Sequence, residues 1–142
     1  MDDTLRQAQE ARTGIADSLV VEIADRLTAL AQTGDQSAID LRALPMTAAD
    51  RADLEAFLGR GEVTADLSVA GRSEVWETRF AGVWWLRHLM ADGRVAAETI
   101  EITRIPDLLV AASEDVATAA SNLRKSLNGP GTTRQEAEAT NG

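Results

Sequence analysis

The sequence predicts an α+β fold, a two-layer sandwich in which a mainly antiparallel sheet (a meander) is covered by helices on one face. Three observations predict it: a helical apolar repeat begins at Ile15, alternating segments joined by short turns fill residues 63–102, and another helical repeat follows Ser113. A chain of 142 residues is long enough to bury one core. We expect a polar N-terminal extension, a single α+β domain and a disordered tail, over residues 1–14, 15–128 and 129–142.

The composition excludes several classes of function. The net charge of −9 and the pI near 4.5 leave no basic stripe for a phosphate backbone, and acidity disfavours anionic membranes. Without cysteine, and with His88 as the one histidine, the chain lacks the side chains for disulfides, zinc fingers, iron–sulfur ligation or a multi-histidine metal site. The sequence shows no signal peptide and no apolar run of the ~18 residues that span a membrane. We therefore expect a soluble cytoplasmic protein without a cofactor.

Two helices precede the main sheet. The first has an apolar stripe at helical spacing, formed by Ile15, Leu19, Ile23, Leu27 and Leu30. A short strand over residues 38–42 then points Ile39 and Leu41 inward. Thr47 and Asp50 form a predicted capping box that opens the second helix. The buried face of that helix is predicted to be Leu54, Phe57 and Leu58.

Two hairpins follow. A two-residue turn at Gly71-Arg72 would give the first hairpin a register in which Leu67 lies opposite Trp76, Ala65 opposite Thr78 and Val63 opposite Phe80. Asp92-Gly93 is a strong turn signal for the second hairpin, and it pairs Arg87 with Glu98, Trp85 with Ile100 and Val83 with Ile102. We assign the face of Trp76 and Trp85 to the core, and we expect a cross-strand ion pair between Arg87 and Glu98.

Residues 80–90 organise the chain, because they hold two of its three tryptophans and the one histidine. Alternation places Val83 and Trp85 on the core face and four residues on the other: Trp84, Leu86, His88 and Met90. This second face is half apolar and half polar, which is typical of a partner-binding surface. For Trp84 the pattern leaves two alternatives open, contact with a partner and packing under the terminal helix.

A third helix follows the sheet. Pro106 starts a short helical turn that runs to Val110, and Ser113 is the predicted N-cap of the helix. Glu114 and Asp115 suit its positive N-terminal end. Its apolar stripe is Val116, Ala120, Leu123 and Leu127.

Catalytic chemistry has few candidates in this chain. They are Ser73, Glu74, Glu77 and His88. A hydrolase needs a histidine within hydrogen-bond reach of a nucleophile and oriented by a carboxylate, and the spacing does not force that arrangement. No nucleophile elbow, phosphate loop or dinucleotide fingerprint is present. We interpret His88 as a structural or surface residue and predict no catalytic, cofactor-binding or metal-binding residue.

Four segments recur in an order and spacing that is characteristic of one family: IDLRALPMT (39–47), LGRGEV (58–63), GVWW (82–85) and IP (105–106). Together they resemble the C-terminal domain of the HupH/HyaF hydrogenase expression proteins, over residues 15–127. The resemblance implies a two-layer α+β fold and an accessory protein for assembly of a nickel–iron hydrogenase. It offers no catalytic residue, and Gly82, Val83, Trp84 and Trp85 are a family signature without an assigned role.

Three interpretations follow. The first, implied by the resemblance, is a chaperone-like protein, not an enzyme, that binds the immature iron–sulfur small subunit or another maturation factor through the face of Trp84, Leu86 and His88. The second is a ligand-binding domain, or a small hydrolase that uses Glu77 and His88; a deep polar pocket containing His88 and a carboxylate would favour it. The third is a self-associating domain, a homodimer that buries the same face.

Overall fold

The computed structural model describes residues 2–68 and 71–129, and the chain forms two compact units that divide after Pro106. The described part of the first unit contains α1 (Asp2–Glu10), α2 (Ile15–Thr33), α3 (Ala48–Leu58), β1 (Ser37–Asp40), β2 (Thr64–Leu67), β3 (Arg72–Glu77), β4 (Val83–Leu89) and β5 (Val95–Ile102). The described part of the second unit contains α4 (Ser113–Asn128) and the predicted turn, a 3-10 helix at Asp107–Leu109. The predicted α+β class is confirmed, while residues 130–142 of the predicted tail lie outside the described residues.

The sheet is antiparallel, with the strand order β1-β5-β4-β3-β2. Strands β2 to β5 form the predicted meander, and β1 pairs with the far side of β5. Helices α2 and α3 cover one face, where one apolar core contains Leu19, Ile23, Ile39, Leu41, Leu54, Leu58, Trp76, Val83, Trp85, Ile100 and Ile102. The inward positions predicted for Ile39 and Leu41 are therefore confirmed.

The second hairpin has the predicted register. Arg87 lies opposite Glu98, Trp85 opposite Ile100 and Val83 opposite Ile102. The register shifts by one residue between His88 and Leu89, so that Leu89 lies opposite Val95. The Asp-Gly turn therefore fixes all of the hairpin except its last pair.

The predicted register of the first hairpin is wrong. Leu67 lies opposite Ser73, and Thr64 takes the place opposite Trp76. The chain needs a longer connection between the strands than the two-residue turn that the prediction assumed. Because the register differs by three residues, an odd number, Ala65 and Leu67 lie on the face opposite Trp76.

The ends of the helices confirm one prediction and correct two. The capping box of α3 is present, with both of its reciprocal hydrogen bonds between Thr47 and Asp50. Phe57 is 45% exposed and not buried as predicted, because it packs sideways against Phe80, with ring centroids 6.0 Å apart. Ser113 is not the N-cap of α4: the helix begins one residue earlier than predicted, and Ala112 at the cap position accepts its first backbone hydrogen bond.

The N-terminal segment is bound to α3. Thr13 donates two hydrogen bonds to the buried Asp50 carboxylate, from its backbone N–H at 2.9 Å and from its hydroxyl at 2.7 Å. Arg12 donates to Asp53 at 2.7 Å. The Thr13 backbone N–H is the largest influence on Asp50 and, with the other hydrogen bonds, lowers the pKa of that carboxyl to about 2 against the opposing effect of burial. Residues from before α2 thus complete the N-terminus of α3.

Candidate functional site

The predicted partner face divides into a buried half and an exposed half. Trp84 and Leu86 are only 4% and 6% exposed, whereas Met90 is 47% exposed and His88 is also exposed. The indole N–H of Trp84 donates to the backbone carbonyl of Thr103 at 3.1 Å. The end of β4 that carries His88, with Met90 just beyond it, is therefore the part of this face that a partner can reach.

His88 is held by a serine on the neighbouring strand. Ser73 lies directly opposite it, and the Ser73 hydroxyl forms a hydrogen bond with His88 Nδ1. Within residues 2–68 and 71–129 no carboxylate is bonded to His88: Glu74 lies on the other face near Arg87, and Glu77 is paired with Trp84. Ser73 is buried, at 7% exposed. A serine and a histidine meet here, but the orienting carboxylate and the accessible nucleophile of a hydrolase are missing from the described residues.

The first unit also contains an open cleft at the C-terminal end of α2. Its volume is about 620 Å³, and it is lined by Leu27, Leu30, Ala31, Gly34, Glu77, Ala81, Gly82 and Arg104. Glu77 lines this cleft and His88 does not. The pair proposed for a hydrolase, Glu77 and His88, is therefore not joined in one site.

Gly82 is placed where no other residue fits without strain. Its φ of +91° lies in the left-handed region that favours glycine. A Cβ atom at this position would lie 3.0 Å from Leu27 Cδ1 and 3.3 Å from Leu30 Cδ2, both on α2. Glycine thus allows the turn before β4 to approach the helix closely.

The three residues after Gly82 are buried. Val83 and Trp85 are fully buried in the core, and Trp85 stacks on Trp76 with ring centroids 5.7 Å apart and an interplanar angle of 7°. The indole N–H of Trp85 donates to Glu98 Oε2 at 2.9 Å. With Trp84 bonded on the other face, the GVWW segment holds β4 to the helices and to β5.

Glu98 is a buried carboxylate at the centre of a charged cluster. Arg87 donates to it at 2.7 Å, Arg51 Nε lies 2.7 Å from its second oxygen, and Glu55 pairs with Arg87 at 3.2 Å. Burial lowers the pKa of Arg87, but the hydrogen bonds and charges of Glu98 and Glu55 outweigh it and raise that pKa overall. Arg60 covers the outer side of Trp76, 3.8 Å from the ring centroid. Two arginines and two glutamates balance, so this cluster closes the core on the α3 side.

Other classes of site are not found in the part of the chain that the structure describes. In residues 2–68 and 71–129 no group of three or more histidine, aspartate or glutamate side chains is placed to hold a metal ion. Across the same residues, no helix has both the length and the apolar composition that crossing a bilayer requires.

Comparison with known proteins identifies the family. Residues 15–129 match the family described as "HupH hydrogenase expression protein, C-terminal conserved region". The chain is also 30% identical over 112 residues to the hydrogenase expression/formation protein HupH of Rhodobacter capsulatus, covering 79% of this chain and 40% of that protein. The match to the hydrogenase expression/formation protein HoxQ of Azotobacter vinelandii has 33% identity over 88 residues, covering 62% of this chain and 31% of HoxQ.

This chain belongs to the HupH C-terminal family. A solved structure, the hydrogenase expression protein HupH from Thiobacillus denitrificans ATCC 25259, is 45% identical, with a TM-score of 0.76, covering 80% of this chain and 94% of that chain. The chain spans less than half the length of the curated relatives that it matches. The resemblance seen in the sequence is confirmed, and the GVWW segment of this HupH chain has a physical role in its core.

Sequence analysis missed two parts of this arrangement. It did not join Ser73 to His88, because the first hairpin was given the wrong register; a longer turn would have placed both on one face. It also missed Arg51 and Arg60 beside the tryptophans of this HupH chain. Their contacts depend on how α3 docks on the sheet, for which the local sequence carries no signal.

Proposed function

We propose that this chain is an accessory protein of hydrogenase maturation that binds an immature hydrogenase subunit and is not an enzyme. The observation that carries the proposal is the family match over residues 15–129, supported by 45% identity to a solved HupH chain. The relatives are named hydrogenase expression/formation proteins, and the described residues lack a complete catalytic arrangement. The subunit that we propose is the iron–sulfur small-subunit precursor.

The surface that we propose for this contact is the exposed end of the β4 face, His88 and Met90. Methionine adapts its shape to irregular apolar partners, and Met90 presents nearly half of its surface. The hydrogen bond from Ser73 occupies Nδ1 of His88, so the imidazole is oriented before a partner arrives. Trp84 and Leu86, which lie beneath in the same strand, support this surface and do not contact the partner.

Co-purification tests the proposal. The full chain would be expressed with each of the two hydrogenase subunit precursors separately, and the size of any complex would be measured. We expect retention of the small-subunit precursor, and at least a tenfold loss of affinity in Met90→Glu, because a charge replaces an apolar contact (~1.4 kcal/mol per tenfold). The matched control is Val21→Glu, which introduces the same charge at an exposed valine of α2, on the helix layer.

The outcomes separate the parts of the proposal. If wild-type protein retains neither precursor, direct binding to a subunit is wrong. If it retains only the large-subunit precursor, the choice of subunit is wrong. If Met90→Glu and Val21→Glu bind the small-subunit precursor equally well, the surface is wrong and the role stands.

A further inference from the structure

Helix α4 has an apolar side that the chain leaves open. The helix spans 16 residues, all of them described, and none is buried. Val116 and Leu123 are 55% and 65% exposed. A helix of this length is close to the ~12–15 residues below which an isolated helix is marginal in water, so covering its apolar side would stabilise it substantially.

The spacing of the apolar side fits a second helix. Val116, Ala120, Leu123 and Leu127 follow one another at steps of four, three and four residues. This is the d-a-d-a spacing of a two-helix seam, and Ala117 and Ala119, which flank it, are small enough to let another helix approach closely.

The charges of α4 select the occupant of this seam. Glu114 and Asp115 lie in the first turn, and Arg124 and Lys125 lie near the other end. When two copies run antiparallel, the acidic end of each lies beside the basic end of the other, and the two helix dipoles also oppose. Two parallel copies would place like charges together at both ends. The surface is thus self-complementary under a two-fold axis, as a symmetric dimer requires.

We propose that α4 pairs antiparallel with α4 of a second copy of this chain and so forms a homodimer. In the register that keeps the seam together, Val116 of one copy faces Leu127 of the other and Ala120 faces Leu123, which sets a small side chain against a large one. This dimer uses a surface different from His88 and Met90, and it does not depend on the function proposed above.

Sedimentation equilibrium of the full chain tests the pairing. We expect a dimer for the wild-type protein, and a dissociation constant at least 100-fold higher for Leu123→Glu, which places a charge in the seam. The matched control is Thr118→Glu, on the opposite side of α4, which should remain dimeric. Because α4 has no buried residue, tryptophan fluorescence of the first unit should be unchanged in both variants. A monomeric wild-type protein at ~100 µM, or equal effects of the two substitutions, would overturn the proposal.

Disulfide cross-linking tests the orientation, and the absence of native cysteine makes the readout specific. In the antiparallel arrangement the single variant Val116→Cys should not cross-link on oxidation. The double variant Val116→Cys/Leu127→Cys should give a covalent dimer. Efficient cross-linking of Val116→Cys alone would show parallel helices, and a wild-type dimer in which the double variant does not cross-link would show that α4 docks elsewhere on the second copy. Either result would reject antiparallel pairing.

Discussion

Replacing Trp85 with alanine removes the most enclosed aromatic side chain of β4. Trp85 is fully buried, stacks on Trp76 at 5.7 Å, and donates its indole N–H to the Glu98 carboxylate at 2.9 Å. The substitution therefore leaves a cavity beside Trp76 and takes one donor from a buried charge. Glu98 keeps its contacts with Arg87 and Arg51, so the carboxylate remains paired.

The expected magnitude follows from these contacts. Truncating a buried tryptophan to alanine costs about 3–5 kcal/mol, and domains of this kind have a free energy of unfolding of about 5–15 kcal/mol. We expect Trp85→Ala to lose about 4–5 kcal/mol, which is a large part of that total. Trp85→Phe keeps an aromatic ring but loses the N–H, and a hydrogen bond to a charged acceptor contributes about 1.5–3 kcal/mol.

Urea unfolding, followed by the fluorescence of the remaining Trp76 and Trp84, measures both losses. With a slope of about 1–3 kcal/mol/M, Trp85→Phe should lower the midpoint by roughly 1 M, and Trp85→Ala should be partly unfolded in buffer. The control is Val21→Ala at an exposed position, which should change the free energy of unfolding by less than about 0.5 kcal/mol. A loss below about 1 kcal/mol for Trp85→Ala would refute the packing described here. Equal losses for the two variants would show that the hydrogen bond outweighs the stacking.

Three further predictions concern the core and its N-terminal support. Trp84→Ala should also destabilise, by about 3–5 kcal/mol, because this side chain is 4% exposed; thermal melts that match wild type would restore the sequence-based expectation that it lies outside the core. Gly82→Ala should cost more than Gly93→Ala in urea unfolding, since both have positive φ but a Cβ at Gly93 meets nothing within 4 Å; equal costs would show that contact with α2 is unimportant. Asp50 has a pKa of about 2 in the folded chain, below its unfolded value of about 3.9, so its contribution is complete above the unfolded value and is lost as the pH falls from about 4 to about 2. Asp50→Asn should show a weaker decrease of the urea midpoint in that window, and an unchanged pH profile would contradict the assignment.

Turn chemistry determined how well each hairpin could be predicted. Asp92-Gly93 has one favoured turn geometry, so counting outward from it gives the observed register as far as His88. Gly71-Arg72 has no such preference, and an odd error in register reversed the faces of Ala65 and Leu67. The sequence therefore predicted the strands themselves better than the faces that they present.

Burial of Trp84 could not be predicted by the same reasoning. Alternation shows on which face a side chain lies, but it does not show what covers that face. The ion pair between Arg87 and Glu98 was predictable because both lie on paired strands, and it is confirmed at 2.7 Å. Arg51 reaches the same carboxylate from a helix, and that contact depends on tertiary docking.

The hydrogen bonds of Thr13 bear on where the folded unit begins. The family match starts at residue 15, yet Asp50 receives two hydrogen bonds from Thr13, and Ala11 accepts one from the side chain of Thr47. A fragment cut at the family boundary would leave the Asp50 carboxylate buried with two of its donors removed. A recombinant form of this unit should therefore include residues 11–14, and a boundary drawn from sequence similarity alone would remove part of the cap of α3.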